Sequence, residues 1–547
     1  MTNLLIRTLL ALTLVPVLAC GDGTLEPPKI PGAPVLKDRG GRADASADAV
    51  FLSFEFDGEV LVTSTWNIQQ SVEDQMLYTI GALNGDTSIG RLDKLVLSDI
   101  TTGAEGDLTR VHYHATMPVA WGKKNNVPQS YTLTLPANIS YGAQSDFTDK
   151  YKDSCVDYGA HDVDASSMWY YYRPNAYNCK LADEDVVSFT ASVSPSTLQT
   201  IGKFPEYDKV WEDDALRVVA VFGKYEDGET SSSDGGIAAY NRFVSRVKST
   251  FANDNLTTVP ADVPSQPGVD VPDVAFSATL SDGKAVEIVA LLVDNVRTAG
   301  ETFNARYAEL SPNADLIAYN GHAGLGANIR ALARKGKWVA GQYAIVFMNG
   351  CDTYAYVDTA LADAHAAVND DDDKGTKYVD VVMNALPSYF HSMANATLAL
   401  VDGLLAYEAP KTYEQIFAGV DRSQVILVSG EEDNTFVPGG GGGGGGGGGE
   451  PWGGLSETGS VARDDEVRYA TPTLAPGRYL FELSGDGDAD LYVRIGTAPT
   501  VDLYDCRPYL EGSAESCLVD LPTAAPIHVM VRGWADTTDF ALIGQSQ

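Results

Sequence analysis

Asp315-Leu-Ile-Ala-Tyr-Asn-Gly-His322-Ala-Gly-Leu-Gly326 and Tyr343-Ala-Ile-Val-Phe-Met-Asn-Gly-Cys351-Asp352 decide how this chain is read. Each is a short, unbroken apolar run that stops at a small-residue turn, the pattern of a strand buried on both faces of a parallel sheet. Functional groups in such sheets gather beyond the carboxyl ends of neighbouring strands, so His322 and Cys351 are expected in one crevice. A thiol beside an imidazole is the equipment of nucleophilic catalysis, because the base takes the thiol proton and leaves a reactive thiolate. One helix, from Ala327 to Lys337, fits between the two runs and completes a βαβ crossover.

Working outward, Ala215-Leu-Arg-Val-Val-Ala-Val-Phe-Gly reads as a buried strand, followed by a helix from Ile237 to Phe251 and a strand from Val286 to Val293. Helical patterns recur at Thr302 to Glu309, Ala360 to Ala367 and Val379 to Ala406, and Gln424-Val-Ile-Leu-Val-Ser-Gly closes the region. This alternation predicts a mostly parallel sheet with helices on both faces over residues 206–437. Gly228, Gly235 and Gly236 lack phosphate-loop spacing and no Lys follows them, so no nucleotide site is expected. His391, on the late helix, is an alternative general base. Asn320 and Asp352 are the neighbours placed to orient His322.

The two runs together resemble the caspase-like cysteine peptidases, with Asn349-Gly350-Cys351 closest to the gingipain branch. In that group one hydrophobic strand precedes a His-Gly pair and another precedes the Cys; here Ala323 follows the His and Gly comes at 324. The resemblance implies a peptidase acting through a Cys351–His322 dyad, with backbone N–H groups at Cys351 and Ala323 stabilising the oxyanion. Such a dyad requires no cofactor.

The remaining cysteines have other employment. The apolar run Leu9 to Leu18 after Arg7 has the layout of a secretory signal, residues 1–19, too short to span a bilayer. Its ending, Val17-Leu18-Ala19-Cys20, resembles a bacterial lipobox, which implies acylation of Cys20. Gly21 rather than Asp follows, so an outer-membrane or surface location in the bacterial envelope is expected. Export brings an oxidising compartment, where Cys155 with Cys179 and Cys506 with Cys517 suit short-loop disulfides. Cys351 is thereby left unpaired.

Residues 20–49, rich in Pro, Gly and Asp, suit a flexible tether. Residues 50–205 carry strand-like runs such as Val50-Phe-Leu-Ser-Phe-Glu-Phe, Glu59-Val-Leu-Val-Thr-Ser-Thr-Trp and Ser130-Tyr-Thr-Leu-Thr-Leu, which predict an antiparallel β domain. His112 and His114 share one face of a strand there. As zinc ligands they would need partners beyond His161, so strand decoration is the expectation. The cluster Met168-Trp-Tyr-Tyr-Tyr-Arg-Pro174 is expected to pack under the disulfide loop rather than form a binding platform.

An unbroken glycine run, Gly439 to Gly449, marks a linker over residues 438–450. Beyond it, Gly485-Asp-Gly-Asp-Ala-Asp-Leu-Tyr-Val493, Tyr504-Asp-Cys-Arg-Pro-Tyr509 and Ala525-Pro-Ile-His-Val-Met-Val-Arg-Gly-Trp534 resemble the bacterial pre-peptidase C-terminal domain, implying a β-sandwich over residues 451–547. Asp486, Asp488 and Asp490 are candidate calcium ligands, with turn capping as the equal alternative.

The chain has 38 Lys and Arg against 74 Asp and Glu among 547 residues, a net charge of −36. That excess argues against nucleic acid or an anionic lipid surface as partner, since phosphate binding needs clustered cations. The expectation is a multidomain chain: a β-rich N-terminal domain, an α/β caspase-like central domain and a C-terminal sandwich. Its expected function is that of an exported, lipid-anchored cysteine endopeptidase acting on proteins or peptides. The alternative is a catalytically inactive homologue serving as a surface adhesin.

Overall fold

A computed structural model describes residues 44–46, 49–123, 126–160, 163–196, 203–324, 326–421, 424–429, 434, 436, 438, 454–472, 474, 477–501, 503–508, 512–521 and 525–546. The signal and lipidation site expected at residues 1–20, most of the tether and the glycine run lie outside these residues. The chain divides into two compact units, Met1–Asn434 and Thr435–Gln547.

In the first unit a nine-stranded sheet runs in the order Asp44–Ser46, Ile426–Ser429, Val379–Asn384, Ala344–Asn349, Leu316–Asn320, Ala215–Gly223, Ala285–Val293, Asp273–Thr279, Thr257–Val259. The central five strands are parallel, and antiparallel strands flank them. Every residue of the strands Leu316–Asn320 and Ala344–Asn349 is buried, as the uninterrupted apolar runs require, and Val379–Asn384, expected as the start of a helix, is a third such strand, the helix beginning only at Phe390. Ala215–Gly223 pairs with Ala285–Val293 on one side and Leu316–Asn320 on the other, so the chain's winding direction reverses there. A crevice opens at the carboxyl ends of an α/β sheet where such a reversal occurs. The helices Gly235–Thr250 and Phe390–Leu404 contact each other against these strands.

Asp44–Ser46, read from sequence as part of the tether, is instead a strand paired with Ile426–Ser429. Its polar composition hides it, because an edge strand needs backbone partners and little burial.

The N-terminal lobe of the same unit holds a six-stranded antiparallel sheet. Two differences from the sequence reading stand out. Val50–Val62 is one continuous strand where two were expected. Gly58, between the two runs expected as separate strands, lies opposite Tyr113, and a Cβ there would meet the Tyr113 ring at 2.4 Å. The glycine therefore makes room for a cross-strand aromatic. The lobe also carries the helix Ile68–Asn84, whose apolar side packs on the sheet. One buried cluster runs from this lobe into the central sheet, including Phe51, Trp169, Tyr354, Met348 and Cys351.

The C-terminal unit has a four-stranded and a three-stranded antiparallel sheet, and buried side chains from both form a single cluster. Among the described residues no helix is long and apolar enough to cross a membrane.

Candidate active site

Asn320 and Asn349 are paired at the ends of adjacent parallel strands, and a single glycine separates each from His322 and Cys351. Both reactive residues thus leave the sheet at the same level, next to the reversal of winding. The two turns touch: a Cβ at Gly350 would lie 2.8 Å from the Gly321 carbonyl oxygen and 3.2 Å from the Ala323 nitrogen. Gly350→Ala is expected to force these turns apart. It should cost about 1–3 kcal/mol in thermal unfolding, within the range for overpacking, and lower any hydrolytic rate at least about tenfold.

His322 Nε2 lies 2.9 Å from the carbonyl oxygen of Tyr225. A carbonyl can only accept, so this contact assigns the proton to Nε2 and leaves Nδ1 with a lone pair. Nδ1 is buried and has no hydrogen-bond partner. The ring sits between Tyr225 and Phe390, with centroids at 5.3 and 5.2 Å. The His322 carbonyl accepts from Tyr319 Oη and Asn328 Nδ2, which fixes the turn.

Tyr225 had no sequence signal as part of the site. Asp234 holds it, accepting the Tyr225 N–H while also capping the helix Gly235–Thr250 through Ile237. The Gly- and Ser-rich loop that lacks phosphate-binding spacing therefore serves to present one backbone carbonyl to His322.

Ser388 N–H donates to Cys351 Sγ at 3.2 Å, a contact that would stabilise a thiolate. Cys351 is 2% exposed and His322 7%. Cys351 is also disulfide-bonded, and no cysteine among the described residues is free. This corrects the expectation of an unpaired Cys351; its partner lies outside the described residues. Counting cysteines along a sequence does not show which sulfurs the fold brings together.

The neighbours expected to orient His322 do other things. Asn320 Oδ1 accepts from Asn349 Nδ2 and Thr397 Oγ1. Asn349 is the hub of a buried amide network, its Oδ1 accepting from Asn384, Gln424 and Ser388. Asn384 Nδ2 also donates to the Gly350 carbonyl, tying the network to the Cys turn. Asp352 turns toward the N-terminal lobe. His391 is half exposed on its helix and faces Asp421 at 3.6 Å.

Of the oxyanion donors, the Ala323 N–H has no acceptor among the described residues, and it lies beside Gly350 where the two turns meet.

The other candidates separate cleanly. Cys155–Cys179 and Cys506–Cys517 are both bonded. Met168–Tyr172 is buried, so the aromatic cluster is core. His112 faces Glu59 at 3.4 Å, and His114 faces Asp57 and Glu55 at 2.8 and 3.3 Å, while His161 lies outside the described residues. The hydrogen bond that His114 donates to Asp57 raises the His114 pKa. Asp486, Asp488 and Asp490 do not converge on an ion. Asp486 accepts from Asp539 N–H, Asp488 from Gly512 N–H, and Asp490 from Arg507 and Trp534. Among the described residues no group of three or more His, Cys, Asp or Glu is arranged to hold a metal.

No family model matches the chain. Over 84 residues it is 40% identical to a "Zinc metalloprotease" of Helicobacter pylori, covering 15% of this chain and 33% of that one. It is likewise 40% identical over 84 residues to a "Hemagglutinin/proteinase" of Vibrio cholerae, covering 15% of this chain and 14% of the relative. A third relative, "Alkaline serine exoprotease A" of Vibrio alginolyticus, is 38% identical over 85 residues, again 15% of this chain and 16% of the relative. The chain therefore spans a third or less of the length of the curated relatives it matches. These proteins overturn the resemblance to caspase-like cysteine peptidases, since they are named for metallo- and serine-protease activities. The two motifs behind that resemblance are each a short apolar strand and a turn, and any parallel sheet with polar strand ends can produce them.

Proposed function

We propose that this chain is an exported peptidase whose hydrolytic site is the His322–Cys351 crevice, competent once the Cys351 disulfide is reduced. One observation carries this reading: a buried imidazole with a fixed tautomer and an unshared Nδ1 lone pair stands level with a cysteine on the adjacent strand. After reduction, the thiol proton passes to His322 Nδ1 and the thiolate attacks the peptide carbonyl carbon. The C–N bond breaks, the imidazolium returns the proton to the leaving amine, and water hydrolyses the thioester to regenerate the thiol. The N–H groups of Cys351 and Ala323 would hold the oxyanion, each worth about 3 kcal/mol in characterised cases.

Protein substrates are supported by the protease names of all three relatives, and export by two disulfides that an oxidising compartment would preserve. A C-terminal unit of the pre-peptidase kind fits the short length shared with otherwise different proteases. The lipid anchor at Cys20 is a separate proposal that requires its sulfur to be free of any disulfide; incorporation of labelled fatty acid, lost in Cys20→Ser, is the expected result. The zinc in one relative's name finds no three-ligand group among the described residues, so no step is routed through it. Nor do these relatives support the expectation that the chain needs no cofactor.

A second reading, a catalytically inactive surface-binding protein, is favoured by the burial and oxidation of Cys351. Digestion of a mixed peptide library separates the two. Cleavage that appears with a phosphine reductant and persists with a zinc chelator supports the thiol site. Cleavage that the chelator abolishes moves the chemistry to a metal. Absence of cleavage in every arm leaves the binding role.

A further inference from the structure

Asp352 follows Cys351 directly and is fully buried, and the side-chain donors at its carboxyl are Tyr170 and Asn84. Its backbone is left-handed, with φ 53°. The carboxyl faces the N-terminal lobe: Tyr170 of the helix Met168–Tyr171 and Asn84 of the helix Ile68–Asn84 approach it, with Arg173 and Asp157 farther out. Tyr356 approaches from its own side, and Tyr171 stands behind Tyr170 and Tyr356.

The same lobe covers the rest of the segment after the nucleophile. Phe51 packs on Tyr354 and Trp169 on Tyr356, with ring centroids 6.4 and 6.3 Å apart. The Arg91 guanidinium lies 5.2 Å over the Tyr354 ring and donates to Ser429 Oγ at 3.1 Å. Residues 352–356 are thus the floor on which the N-terminal lobe sits, and Cys351 is shut in at its edge.

We propose that the N-terminal lobe is an autoinhibitory cap on the Cys351 crevice and that Asp352 is its proton-operated latch, holding the cap while the carboxyl is protonated and releasing it on ionisation. What is inhibited rests on the peptidase reading; the movement does not.

A neutral carboxylic acid can stay buried among tyrosines, whereas a fully buried carboxylate keeps a large desolvation cost that two neutral donors, Tyr170 and Asn84, do not offset. Burial pushes the Asp352 carboxyl up to about 7, against the opposing pull of Tyr170, Asn84 and Arg173. Arg173 cannot neutralise it, because its guanidinium is committed to Asp157 at 3.2 Å and to the Gly81 carbonyl. Closed, the latch keeps its proton to about pH 7; open to water, an aspartate loses it near pH 4. Between those values the closed state binds more protons, so each unit of rising pH favours opening by up to about tenfold. Below that window both states are protonated and the latch is silent. Above it both are ionised and the preference saturates.

Amide hydrogen exchange on the reduced full-length chain, corrected for intrinsic rate, tests this between pH 5 and pH 8. Protection over residues 164–173 and 353–358 is expected to fall more than tenfold in wild type. In Asp352→Asn, which suits the left-handed backbone and cannot ionise, it is expected to stay constant. Equal loss in both proteins, or constant protection in wild type, overturns the proposal. Should Asp352→Asn not fold, Trp169→Ala must expose residues 353–358 already at pH 5, and failure to do so overturns it equally. Exchange that follows the latch without any library cleavage would retain the cap and discard the peptidase; the reverse pattern would do the opposite.

Discussion

Cys351→Ala is expected to lower kcat/KM for peptide hydrolysis by at least about a thousandfold relative to the reduced wild-type chain, the scale on which nucleophile removal acts. The reduced protein is the proper reference because the substitution also removes a disulfide, whose loss alone can cost about 2–5 kcal/mol. His322→Ala should do nearly as much damage. The double variant should be no worse than either single one, because thiol and imidazole act as one unit and the second loss finds nothing left to remove. The Nδ1 lone pair is the particular reason for that expectation: it is buried and unshared, with Nε2 already committed to Tyr225. If Cys351→Ala retains a tenth or more of the activity, the thiol is not the nucleophile and the crevice is a structural feature.

The strands that bear this pair were legible because burial on both faces leaves an unbroken apolar run, which names its own structure. Their pairing at Asn320 and Asn349 then places His322 and Cys351 level without further information. The two bonded disulfides were legible for a similarly local reason, each closing a short loop. What escaped the sequence depends on contacts between distant segments. Tyr225 acts through a backbone carbonyl, which every residue possesses, so no side chain advertises the role. Asp44–Ser46 joins the sheet through backbone pairing alone. Asp352 looks like an ordinary polar residue after a Cys until the N-terminal lobe closes over it. Val50–Val62 was split in two because glycine marks both turns and close packing, and only the facing Tyr113 decides between them.

Asn349→Ala is expected to destabilise the first unit by about 3–5 kcal/mol, at the severe end for one substitution. Asn349 is fully buried at the end of the Cys strand and makes five hydrogen bonds: its Nδ2 donates to Asn320 Oδ1 and the Met393 carbonyl, and its Oδ1 accepts from Asn384, Ser388 and Gln424. Asn320 Oδ1 keeps Thr397 as a donor, and Gln424 Nε2 and Asn384 Nδ2 keep Asn384 Oδ1 and the Gly350 carbonyl. The loss is therefore smaller than five separate penalties of about 1–3 kcal/mol each would suggest. The cavity left by the amide adds to it. Asn349→Leu restores volume but leaves the same polar atoms facing hydrocarbon, so filling the space should not rescue stability. Urea unfolding followed by circular dichroism measures all three proteins. A cost below about 1 kcal/mol for Asn349→Ala, or recovery in Asn349→Leu, would mean that packing rather than the amide network holds the Cys turn. The network reaches that turn through Asn384 and the Gly350 carbonyl. A destabilised network should therefore also slow hydrolysis under conditions where the variant remains folded.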